Sequence, residues 1–123
     1  MKLIRMHELP EQGVSHNARI RKRQILKNGE MGPITNYARA VFPPGEKADA
    51  HRHDDMVEVF TVESGCGEIR IDDVVYVFSA GLTVVVEPGE VHEIINTGGV
   101  ELIVTYFGVI TGGIPAGPGR QAR

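Results

Sequence analysis

From residue 31 onward, short β-branched and aromatic runs alternate with glycine, proline and aspartate pairs, a punctuation that breaks helices and separates strands. The runs cover residues 34–42, 56–63, 67–71, 74–79, 83–86, 91–96 and 100–110, linked by Pro43-Pro44-Gly45, Asp72-Asp73, Ala80-Gly81, Pro88-Gly89 and Thr97-Gly98-Gly99. This pattern predicts an all-β sandwich or barrel of antiparallel strands in which neighbours pair as hairpins or meanders. The 123 residues suit a single domain. Residues 1–30 form an N-terminal segment whose part 20–26 is expected as a first strand packing on the barrel. Residues 31–110 form the barrel, and 111–123 a Gly/Pro-rich tail.

Composition narrows the function classes. The longest unbroken apolar run, residues 74–78, has five residues, far from the ~20 that cross a bilayer. With Cys66 as the single thiol and no export signal read at the amino end, the expected compartment is the cytoplasm. Charge is uneven: residues 1–30 hold seven basic and three acidic groups, the remainder six and thirteen. The basic excess centres on Arg19, Arg21, Lys22 and Arg23 and is read as a solvated face, so no nucleic-acid partner is expected. His7 and His16, in the polar amino-terminal stretch, are expected to face solvent.

Three histidines and a carboxylate stand out in the β region: His51, His53, Glu58 and His92. Residues two apart on a strand share a face, so His51 and His53 offer two imidazoles to one point. Glu58 lies at an odd offset from His53, which demands a bend, and Asp54-Asp55 is the expected place. A carboxylate buried unpaired among apolar strands costs several kcal/mol, and a divalent cation removes that cost. Two other motifs fail. The HxHxDH pattern is broken by Met56, and the HExxH pattern starting at His92 is broken by Asn96.

The spacing resembles the cupin superfamily. Its first motif, G(x)5HxH(x)4E(x)6G, is met in full by Gly45, His51, His53, Glu58 and Gly65. Its second, G(x)5PxG(x)2H(x)3N, is met by Gly81, Gly89, His92 and Asn96, with Glu87 in place of the proline and Pro88 directly after it. The resemblance implies a double-stranded β-helix, or jelly-roll barrel, holding one divalent metal per chain through His51, His53, Glu58 and His92. The metal is Fe, Mn, Ni, Co, Cu or Zn, since the donor set does not choose among them. It also implies a small-molecule ligand or substrate and a homodimer.

Alternation adds a lining to this cavity. Met56 and Phe60 share a face with Glu58, and Ile94 and Asn96 share one with His92. On 34–42 either Tyr37, Arg39 and Val41 or Asn36, Ala38, Ala40 and Phe42 turn inward. The first set, through Tyr37 and Arg39, favours an anionic substrate. Two functions follow from the resemblance: a metal-dependent enzyme with dioxygenase, isomerase or decarboxylase chemistry on a small oxygen-bearing molecule, or a non-catalytic binding or sensing module. No catalytic base is identifiable.

Overall fold

The computed structural model describes residues 1–111, and the expected tail from 112 on lies outside the described residues. A 3₁₀ turn, Met6–Glu8, precedes ten strands: β1 (Glu11–Val14), β2 (Asn17–Leu26), β3 (Ile34–Phe42), β4 (Lys47–His51), β5 (Met56–Ser64), β6 (Cys66–Ile71), β7 (Val74–Ser79), β8 (Thr83–Val86), β9 (His92–Ile95) and β10 (Leu102–Ile110). They form a six-stranded sheet, ordered β1-β2-β3-β10-β5-β8, and a four-stranded sheet, β4-β9-β6-β7. All pairings are antiparallel. This is the expected jelly-roll architecture, with the core between the two sheets.

Sequence and structure differ in three places. β1 and β4 were not anticipated; β4 reads Lys-Ala-Asp-Ala-His, with too few β-branched or aromatic residues to signal a strand. β2 starts earlier than the expected strand, at Asn17. Hairpin pairing also describes only part of the topology: β1–β2, β2–β3 and β6–β7 pair in succession, whereas Pro43-Pro44-Gly45, Ala80-Gly81, Pro88-Gly89 and Thr97-Gly98-Gly99 each carry the chain to the opposite sheet. A short Gly/Pro link marks a reversal but does not determine which strand it delivers the chain to.

Burial alternates along β5, where Met56, Glu58, Phe60 and Val62 all point inward. Phe78, Ile20, Ile69, Leu102 and Val104 complete the core, each at most 1% exposed, and each full burial contributes roughly 1.5–3 kcal/mol. Gly67 lets β6 run close beside the end of β9 in the same sheet: a Cβ there would collide with the Ile95 carbonyl. On β3 the Asn36, Ala38, Ala40 and Phe42 set faces inward, which corrects the placement of Tyr37 and Arg39 in the cavity. Arg39 instead makes a two-point pair with Glu63 at 3.1 and 2.7 Å on the outer face, and Tyr37 packs edge-on against Phe107.

Candidate metal centre

His51, the last residue of β4, stands in register opposite His92, the first of β9. Glu58 faces them from β5 in the other sheet. His53 lies past the end of β4, and the chain bends at Asp54-Asp55 before β5 begins, which absorbs the odd offset between His53 and Glu58. The His53 carbonyl accepts the Gly89 N–H at 2.7 Å, tying this link to the turn that delivers His92. That turn has Pro88 in its second position and Gly89, at φ +86°, in its third, the arrangement of a type II turn. The Glu90 carboxylate closes it by accepting the Glu87 N–H at 2.7 Å. Glu87 therefore leaves the turn intact although it departs from the motif.

The four side chains place one ligand atom each within 4.8 Å of one another. His92 Nε2 is 3.0 Å and His53 Nε2 3.2 Å from Glu58 Oε1. Two donors each about 2.1 Å from one ion and at right angles lie about 3.0 Å apart. His92 is 1% and Glu58 6% exposed, whereas His51 is open to solvent, so the group is reached from the His51 side.

Proton positions follow from the neighbouring carbonyls. His51 Nδ1 lies 2.9 Å from the Asp49 carbonyl oxygen, and His92 Nδ1 3.1 Å from that of Glu90. A carbonyl only accepts, so each Nδ1–H donates and each neutral ring turns an Nε2 lone pair inward. Those lone pairs meet a carboxylate, which is also an acceptor. Such an all-acceptor centre fits a cation, and carbonyl support of the second nitrogen is how imidazole ligands are oriented. Burial pushes the His53 pKa down, with His51 and His92 acting the same way against Glu58; the neutral, ligating ring is favoured.

The group opens into a cavity of about 520 Å³. Met56, Phe60 and Ile94 line it. Asn96 does not, although it is fully buried: its amide donates to the carbonyls of Phe42 (2.9 Å) and Val100 (2.8 Å), and its oxygen accepts the Gly98 N–H (2.9 Å). It buckles the sheets together behind the cavity, a role that its place at the end of the motif does not reveal. Asn36, from one of the two alternatives read for β3, lines the cavity, and so do polar residues that the sequence pattern did not assign to it, among them Tyr106, Lys22, Asp49 and His16. Tyr106 stacks on Phe60 with ring centroids 5.6 Å apart, and burial together with the Glu58 charge pushes its pKa up to about 12. His16 sits at φ +66° in the β1–β2 turn, exposed as expected, and at the edge of the cavity.

Two facing sheets with three imidazoles and a carboxylate gathered at one end define a double-stranded β-helix of the metal-site type. The sequence model of the Cupin domain family matches residues 38–107, and the chain belongs to that family. A structure described as a predicted oxalate decarboxylase from Thermotoga maritima superposes with a TM-score of 0.83 at 22% identity, covering 89% of this chain and 99% of the other. KdgF from Halomonas sp. gives 0.74 at 16% identity, covering 89% and 94%. An uncharacterised double-stranded β-helix protein from Klebsiella pneumoniae gives 0.71 at 20% identity, covering 94% of both chains. No curated protein matches the sequence. Among the described residues, no helix is long and apolar enough to cross a membrane.

Proposed function

We propose that this chain is a divalent-metal-dependent cupin enzyme acting on a small oxygen-bearing molecule, with His51, His53, Glu58 and His92 as the metal ligands. The observation that carries this is the meeting of Nε2 lone pairs and a carboxylate at one point. A bound divalent ion would act as a Lewis acid on a substrate oxygen or hold dioxygen at its open positions. Glu58 supplies negative charge to hold that ion. Met56, Phe60, Ile94 and Val104 keep the approach apolar, and Tyr106 brings a hydroxyl donor into the same cavity. The description of the Thermotoga maritima neighbour makes oxalate a sensible first substrate to test.

The experiment is metal analysis of tag-free protein, followed by oxygen-uptake and product assays after reconstitution with Fe(II) or Mn(II). One equivalent of metal with turnover supports the enzyme. Metal with ligand-dependent stabilisation but no product points instead to a binding or sensing module. Absence of metal removes the enzyme and leaves only a metal-free binding module.

The chain is further read as a cytoplasmic homodimer. β7 is a sheet edge, paired on one side only, and Val74, Val75, Tyr76 and Val77 are 53%, 47%, 43% and 67% exposed. A free apolar edge invites another strand, and the same edge on a second copy supplies an antiparallel one about a two-fold axis. Sedimentation of Val77→Lys beside the unaltered chain tests this: a dimer that becomes a monomer supports it, and an unaltered chain that sediments as a monomer ends it.

A further inference from the structure

Lys22 belongs to a basic run whose members have different surroundings. Arg19 pairs with Glu46 at 3.2 Å, Arg21 with Glu11 at 3.3 Å, and Arg23 donates to the carbonyls of Met6 and Leu9. These odd-numbered side chains share the outer face of β2. Lys22 shares its face with the buried Ile20, stands opposite the buried Ala40 of β3, and lines the cavity onto which the ligand group opens. It is half-buried, and among the described residues no carboxylate lies within ion-pair distance of it. An ammonium that lines a cavity and has no carboxylate partner is free to pair with an anion that enters it.

Asn36 lines the same cavity. Its orientation follows from Gln24, whose amide nitrogen donates to the Leu26 carbonyl at 2.7 Å and to Asn36 Oδ1 at 3.2 Å. The Leu26 carbonyl fixes the Gln24 nitrogen as donor, so the Asn36 oxygen must face it and the Asn36 amide nitrogen is left to donate elsewhere. The Tyr106 hydroxyl is a further donor. The acidic groups of the lining are Glu58, engaged with the histidines, and Asp49, which is exposed and 4.0 Å from Lys47. The cavity wall is therefore rich in donors and carries a positive charge that no acidic side chain answers.

We propose that Lys22, with Asn36 beside it, forms an anion subsite for a carboxylate carried by the same small molecule that binds the metal centre. This deepens the metal-cupin proposal and rests on it. β2 and β5 are separated by β3 and β10 in the sheet, so Lys22 does not reach the ion itself. The carboxylate it holds lies several atoms from the metal-binding oxygens. The anionic character first tied to Arg39 thus has a different source, on the inner face of β2.

The test uses Mn(II)-loaded protein and two ligands that share a 2-oxo acid head and differ at the far end. 2-Oxoglutarate carries a distal carboxylate and 2-oxopentanoate a methyl group; 2-oxoadipate, one methylene longer, samples the span. Titration calorimetry is expected to show one of the two dicarboxylates binding about tenfold tighter than 2-oxopentanoate, the worth of one charge-assisted contact. Lys22→Met removes that preference and Lys22→Arg keeps it, with Mn(II) content and melting temperature unchanged in both. Equal affinities in the unaltered protein, no binding of any of the three, or a preference that survives Lys22→Met overturns the subsite while leaving the metal centre standing. Failure of the protein to take up Mn(II), Fe(II), Co(II), Ni(II), Cu(II) or Zn(II) overturns the metal centre, and the subsite with it.

Discussion

His92 Nε2 lies 3.0 Å from Glu58 Oε1, although the two residues are 34 positions apart and sit in different sheets. The contact is the shorter of the two that Glu58 makes with these histidines and joins the two walls of the barrel. Two acceptors this close need either a proton shared between them or a cation that both ligate. The same closeness therefore serves the fold and the site.

Substituting Glu58→Gln keeps the volume and supplies an amide N–H that donates to His92 Nε2, so the barrel is expected to remain folded. Metal affinity is expected to fall at least about tenfold through loss of the charged ligand. Mass-spectrometric metal content of purified protein, beside its circular dichroism, measures this; a variant with full metal content removes Glu58 from the ligand set.

Metal binding to the folded chain alone adds stability by mass action, about 2.7 kcal/mol at a hundredfold excess over Kd. Chelator-treated protein is therefore expected to melt at a lower temperature and to regain its melting point as Mn(II) is returned. A melting curve indifferent to both treatments would count against a resident ion.

Asn96→Ala leaves the buried Phe42 carbonyl, and the part-buried Val100 carbonyl and Gly98 N–H, without their partner. The expected loss is about 3 kcal/mol of stability in urea unfolding, with metal content per folded chain unchanged. Should metal be lost at constant stability, Asn96 belongs to the centre after all and the buckle is misassigned.

Arg39 holds the Glu63 carboxyl below the ordinary carboxylate range. A carboxylate whose folded pKa is depressed contributes stability that is present above its unfolded pKa of 4.5 and is lost as pH falls through the lower, folded value. Glu63 is 48% exposed, so the pair is worth at most about 1 kcal/mol. Glu63→Gln is expected to be slightly less stable at neutral pH and equal to the unaltered chain once pH has dropped below that window. A difference that widens on acidification would contradict the pairing.

The ligand set was legible because its determinants are local: His51 and His53 two apart, a bend at Asp54-Asp55, and a Pro-Gly turn directly ahead of His92. The strand pattern from β5 to β10 was legible for the same reason, since inward and outward residues alternate with a period of two. Lys22 could have been found by the same rule, two residues beyond the apolar Ile20, although a bulge between Gln24 and Leu26 breaks the alternation farther along β2. β4 could not, because its sequence carries no β-branched residue and its partner β9 lies far along the chain.

Alternation determines which residues share a face, but it has no sign. On β3 the sequence groups Tyr37 with Arg39 and Ala38 with Ala40, and both groups find cover: the inner from the opposite sheet, the outer from the amino-terminal segment, where Met6, His7, Arg23, Arg39 and Glu63 line one groove. Which face meets the cavity was decided only when β3 settled between β2 and β10. Those contacts join residues too distant along the chain for any local pattern to specify, so the amino-acid order determined the strands and the ligands, and tertiary pairing decided what surrounds them.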